Sequence, residues 1–244
     1  MGELPEAIAS GAQEALMQYV TSANIACGGH AGDQGTMRAT IEQALQHGVA
    51  IGAHPSYPDR ENFGRVSVEL PAGEISRAVY AQIRALDAVA RAAGARVTHV
   101  KPHGALYNDA ARDAAIAQAV AEGVARWSLD VVLVGLADSR MLEAFREVGF
   151  RVAAEAFIER RYEADGSLRE RRFSDALIHD PDVAARQALE IVERGQVTAW
   201  DGTIVKITAE TVCIHGDSPR ALEIAQAVRA ALEQAGIQVA PLLR

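Results

Sequence analysis

Four of the seven histidines in this 244-residue chain stand where an apolar run gives way to glycine, aspartate or proline. They are His30 in "SANIACGGHAGD" (22–33), His54 in "VAIGAHPSYPD" (49–59), His103 in "VTHVKPHGALYN" (97–108) and His215 in "TVCIHGDSP" (211–219). Imidazole gains and loses a proton near neutral pH and ligates metals, so such a set points to proton transfer, anion binding or metal coordination. A single histidine at a strand end is more often satisfied by a loop carbonyl. That plainer reading is kept for His47 and His99, which lie outside the glycine-rich endings.

Other residues could share this chemistry. Lys101 lies two positions before His103, on the same side of an extended strand. Burying its charge requires a carboxylate or phosphate, unless the side chain reaches out to solvent. Glu155 interrupts the otherwise apolar "VAAEAF". It is read either as an ion pair with Lys101 or an arginine, or as a general base or ligand. Asp33 and Asp217 are helix caps or site residues, and Arg65 is a surface charge or a clamp for an anion. The chain has no His-x-x-x-His or Cys-x-x-Cys pair, so a metal site would have to be assembled from separate strands. Spacing does not decide for or against a metal.

These residues need a scaffold that brings strand ends together. Met37, Ile41, Ala44 and Leu45 have helical spacing and stop at Gly48, where the next apolar run begins. The rhythm recurs with Ile75, Val79, Ile83, Leu86 and Ala90 before Gly94, and with Ile116, Val120 and Val124. The unbroken apolar run "DVVLVGL" (130–136) reads as a strand buried on both faces, followed by a helix with Leu142 and Phe145. Asp180 before Pro181 and Ser218 before Pro219 read as N-caps, with proline at the first helical position. Segment 158–180 breaks the pattern with mixed charges and an Asp-Gly turn; it reads as a hairpin-like excursion, either a solvated loop or a lid. Alternating strands and helices imply a parallel α/β sheet whose strands all end on one side, where ligands bind.

Bulk properties narrow the class. A chain of this length with 49% hydrophobic residues can bury a full core, and one domain spanning 1–244 is expected. A formal charge of -8 argues against nucleic-acid or membrane-surface binding, which needs a positive field. Two cysteines are too few for a disulfide framework, and no signal or membrane segment is evident, so the cytoplasm is the expected location.

The segments "SANIACGGHAGD", "IGAHPSYPDRENFGR", "HVKPHGALYN", "EAFIERRYEADGSL" and "VCIHGD" together resemble the LamB/YcsF family, in order along nearly the whole chain. The resemblance implies an irregular β/α barrel of about seven strands, similar to polysaccharide deacetylases. It also implies an ATP-dependent 5-oxoprolinase activity, opening the lactam of 5-oxo-L-proline to L-glutamate with ATP as co-substrate. The partners would be the complex's subunits B and C. On this reading His54, Lys101, His103 and Glu155 are the catalytic candidates. His30, Asp33, Arg65, Asn108, His215 and Asp217 are the substrate-binding candidates. A divalent metal is compatible but not established.

The departures from the family pattern carry expectations of their own. Members usually open with a strand approximating "IDLNCDLGE", whereas this chain opens "MGEL", so Gly2 and Glu3 match only the tail of that motif. The first strand is therefore expected to be missing. Either the N-terminal residues or another chain would fill the gap beside "SANIACG" or "TVCIH", or the start lies upstream. Gly29 stands where phenylalanine is common, and Val66 where a second basic residue usually follows Arg65. Two competing functions remain: a metal-dependent amide hydrolase of the deacetylase type, and a catalytically silent binding subunit of the same complex.

Overall fold

The computed structural model describes residues 1–242. They divide into two compact units, Met1–Ala153 together with the C-terminal stretch from Pro241, and Ala154–Ala240.

The first unit is built on β/α repeats. Strand β1 (Ser22–Ala26) pairs in parallel with β2 (Ala50–His54), β2 with β3 (Val97–Val100), and β3 with β4 (Val132–Leu136). Helix α3 (Gln34–Gln46) connects β1 to β2, and α4 (Ala72–Ala92) precedes β3. Asp33 starts α3 through a capping box: its carboxylate accepts from the Thr36 N–H at 2.9 Å, and the Thr36 hydroxyl accepts from the Asp33 N–H at 2.9 Å. The α4 stripe expected from sequence is buried, with Ile75, Val79, Ile83, Leu86 and Ala90 all facing the core. Between β3 and β4 run α5 (Gly104–Arg112) and α6 (Ala114–Ala125), and α7 (Arg140–Val148) follows β4. Leu242 returns to pack on Val132, Val134 and Ala153.

Two short helices, α1 (Pro5–Ala9) and α2 (Ala12–Met17), precede β1 and escaped the periodicity argument. The outer edge of β1 is not bare at its end. The Met1 nitrogen donates to the Asn24 carbonyl at 2.7 Å, and the Ala26 N–H donates to the Met1 carbonyl at 2.9 Å. One N-terminal residue thus occupies the ladder positions that a preceding strand would fill, satisfying groups that would otherwise cost about 1–3 kcal/mol each if buried unpaired.

Strand β5 (Arg151–Phe157) begins at the end of the first unit and continues into the second, where it pairs in parallel with β8 (Thr211–Cys213). The second unit also holds α8 (Pro181–Arg194), the antiparallel pair β6 (Gln196–Thr198) and β7 (Ile204–Lys206), and α9 (Ala221–Gln234). The chain is therefore α/β with parallel ladders, as expected; six strands among the described residues take part in them. Asp180 caps α8 as expected. Ser218 does not cap a helix. The chain makes a turn there, with the Ala221 N–H bonded to the Ser218 carbonyl, and α9 starts only at Ala221 after Arg220 at φ 60°.

The charged excursion proves well anchored. Antiparallel bridges join Arg160 to Leu177 and Tyr162 to Leu168, making the expected hairpin-like fold. Ile158, Glu159, Arg160, Tyr162 and Arg169 are all buried, so a solvated loop describes only its outer parts, which include the exposed residues 170–175. Its charges are matched. Arg169 pairs with Glu163 and Asp175 at 2.9 and 2.8 Å, and its guanidinium lies 4.2 Å from the Phe173 ring and 4.3 Å from that of Trp200.

Candidate functional site

Register explains how residues far apart in sequence meet. In the β1–β2 ladder Ala26 lies opposite His54, and β2 continues beside β3. The ladder runs past the end of β3: the Lys101 N–H donates to the Ala53 carbonyl at 2.9 Å, and the His103 N–H to the Pro55 carbonyl at 2.8 Å. His54 and His103 thus emerge side by side at the strand ends. His30 arrives from the loop after β1, which Arg60 holds through the Gly28 and Gly32 carbonyls at 3.1 and 3.0 Å.

The three imidazoles form one buried cluster. The His30 ring stacks on His103, with centroids 3.7 Å apart and planes 6° from parallel, while His54 meets His103 edge-on at 4.8 Å. His54 Nδ1 donates to the Lys101 carbonyl at 2.7 Å, since a carbonyl can only accept. By the same reasoning His103 Nε2 donates to the Phe63 carbonyl at 2.9 Å. Phe63 is held in the left-handed region at φ 56°, the kind of backbone strain that accumulates where a site is being shaped. Burial, together with the neighbouring histidines, pushes His54 well below its usual range and His103 down to about 3. Both rings are therefore neutral bases at physiological pH.

Glu3 completes the cluster and was not singled out from sequence. Its Oε1 accepts from His30 Nε2 at 3.0 Å and lies 3.8 Å from His103 Nδ1. Burial works to raise its pKa, but the α-amino group of Met1 and the contacts with His30 and His103 outweigh this and hold it well below the usual carboxylate range. Gly2 makes this placement feasible. Its φ of 73° favours glycine, and a side chain there would press on Thr40 and Ile25. The only sequence signal for Glu3 is its match to the tail of the family's opening motif.

The other candidates fall in distinct places. Lys101 is buried, with Nζ 5.5 Å from the Tyr107 ring centroid. The Arg65 guanidinium lies 5.0 Å from the Phe63 ring, on a residue that is itself exposed. Asp33 serves as the exposed cap of α3, and Asn108 is exposed on α5. Glu155, His215 and Asp217 belong to the second unit. There His215 pairs through Nδ1 with Glu159, another residue missed from sequence, whose Oε2 also accepts from the His215 N–H at 2.9 Å. Glu155 is buried on β5 opposite Thr211, and Asp217 is exposed. Cys27 offers no ready nucleophile, because burial pushes its thiol up to about 12.

No helix of the described residues is long and apolar enough to cross a membrane. Comparison with known proteins gives concordant results. The chain is 54% identical to the A subunit of 5-oxoprolinase from Chloroflexus aggregans, an alignment covering 98% of this chain and 94% of that protein. It is 50% identical to the A subunit of 5-oxoprolinase from Methylococcus capsulatus, covering 95% and 89%. Among solved structures, a lactam utilization protein from Thermus thermophilus matches with a TM-score of 0.91 and 44% identity, covering 98% of this chain and 96% of that one. A family model described as LamB/YcsF matches residues 1–244, and the chain belongs to the LamB/YcsF family.

Proposed function

We propose that this chain is the A subunit of an ATP-dependent 5-oxoprolinase, opening the lactam of 5-oxo-L-proline to L-glutamate together with subunits B and C. The observation that carries this reading is near-full-length identity of 50–54% to proteins named as the A subunit of 5-oxoprolinase. The site chemistry is compatible with it. A lactam carbonyl is a poor electrophile, and transfer of the ATP γ-phosphate to its oxygen would open the carbon to attack by water. That water must be held and activated, and the lone pairs of the neutral His54–His103 pair beside the Glu3 carboxylate are placed to supply that site. Lys101 and Arg65 are the cations we assign to the substrate carboxylate and phosphate.

A second reading, a metal-dependent amide hydrolase needing no ATP, is favoured by one observation: donor atoms of Glu3, His54 and His103 lie within 4.8 Å of one another. Reconstitution separates the two. Glutamate release from 5-oxo-L-proline should require ATP, subunits B and C, and this chain, and should fall at least about 100-fold with His54→Gln. Release by the complete mixture without ATP, or with this chain left out, would overturn the proposal.

A further inference from the structure

We infer that Glu3, His54 and His103 form a binding site for one divalent ion of the zinc class. His54 Nδ1 and His103 Nε2 are each committed as donors to a backbone carbonyl, Lys101 at 2.7 Å and Phe63 at 2.9 Å. In the neutral rings this leaves a lone pair on His54 Nε2 and another on His103 Nδ1. Those two atoms face each other at 3.1 Å. Two lone pairs at that distance repel unless a cation stands between them.

The surroundings select the cation. A carboxylate oxygen of Glu3 lies 3.8 Å from His103 Nδ1. Tetrahedral ligands about 2.0–2.2 Å from zinc are roughly 3.3–3.6 Å apart; the observed 3.1 and 3.8 Å bracket that spacing, and since all three donor atoms lie within 4.8 Å of one another, modest side-chain adjustment brings the set to one ion. Imidazoles that bind metals usually anchor the opposite ring nitrogen on a carbonyl or carboxylate, and both of these rings do. Glu3 is anchored likewise by His30 Nε2 at 3.0 Å, and that ring's Nδ1 is a buried polar atom without a hydrogen-bond partner. Two nitrogens and one oxygen suit zinc, cobalt or nickel better than magnesium or calcium, which prefer all-oxygen shells. Three protein ligands leave a coordination position open, as in catalytic rather than structural sites. When bound there, such an ion polarises a carbonyl or a water. These contacts define the site whichever reaction it serves.

The test uses the isolated full-length chain, so that failure of the reconstituted reaction cannot be confused with failure of the site. After dialysis against EDTA, titration with Zn2+ followed by calorimetry, with elemental analysis of the gel-filtered product, should give one ion per chain. Co2+ in its place should give the intense visible bands of a four-coordinate site. Glu3→Gln and His103→Gln should each weaken binding about tenfold to 100-fold. If His103→Gln fails to fold by circular dichroism, Glu3→Gln alone carries the comparison. Absence of stoichiometric binding by the parent chain, or unchanged binding in folded Glu3→Gln, would overturn the inference. So would 15N NMR of the Zn2+-saturated chain showing His54 Nε2 and His103 Nδ1 still sharing a proton.

Discussion

The imidazole of His99 fills the space over Gly52 that a side chain would otherwise occupy. The two residues are register partners across β2 and β3, and a methyl group built on Gly52 would overlap the His99 ring. Gly52→Ala should therefore cost about 1–3 kcal/mol in urea denaturation, as overpacking does in a rigid core. In Gly52→Ala combined with His99→Ala the penalties should fail to add by at least about 0.5 kcal/mol, because the second change removes the obstacle. Additive penalties would mean that the strain lies elsewhere.

The same histidine should make stability depend on pH. Thr98 donates its hydroxyl to the Ile51 carbonyl at 3.1 Å, so His99 Nδ1 donates to Thr98 Oγ1 at 3.0 Å, and His99 Nε2 is left buried without a partner. Burial first, and the Lys101 charge second, push its pKa from 6.5 down to about 4. A base depressed in the folded state is protonated first in the unfolded state. Its contribution is therefore complete above pH 6.5 and is lost as the pH falls towards 4, at up to about 1.4 kcal/mol per pH unit. Comparing the parent chain with His99→Gln between about pH 4.5 and 7 isolates this contribution, and the variant should show the shallower slope. Equal slopes would show that His99 does not titrate in this window.

Lys101 separates structural from chemical roles. It is 4% exposed, and its carbonyl fixes the His54 tautomer, a role that any residue at this position could fill. Lys101→Met keeps the stem and the backbone but removes the charge. We expect a folded variant whose activity in the reconstituted complex falls about 100-fold or more. A variant that unfolds would assign the charge to structure, and one with full activity would remove Lys101 from the site.

Much of this arrangement is legible in the sequence. His30, His54 and His103 each end an apolar run, and alternating β/α order sends such ends to one side, so their meeting follows from topology. The second unit was harder to read. Glu159, Arg160 and Arg169 sit in a segment whose composition looks solvated, yet they are buried because partners from within that unit neutralise or bond them. Charge in sequence reports what needs a partner and not whether one arrives. Ser218 shows the limit of local signals: Ser-Pro fits a helix start, but the bond from the Ala221 N–H to the Ser218 carbonyl places a turn there first.

Glu3 was the least legible residue, and the reason yields the last prediction. Its position depends on contacts distant in sequence. Met1 bonds to Asn24 and Ala26 on β1, and the Gly2 N–H donates to Gln13 Oε1 on α2 at 2.7 Å. Gln13 is held in turn, its amide nitrogen donating to Thr40 Oγ1 at 3.2 Å and to Gln43 Oε1 at 2.8 Å. Gln13→Leu conserves bulk but strands the buried Gly2 N–H, which should cost about 1–3 kcal/mol. It should also loosen the arm that aims Glu3, while His54 and His103 stay fixed by the Lys101 and Phe63 carbonyls. The distinguishing readout is Zn2+ affinity measured on folded Gln13→Leu, well below its unfolding midpoint. We expect it to fall towards that of Glu3→Gln. An affinity equal to that of the parent, in a variant destabilised as expected, would show that Gln13 supports the fold without aiming the carboxylate.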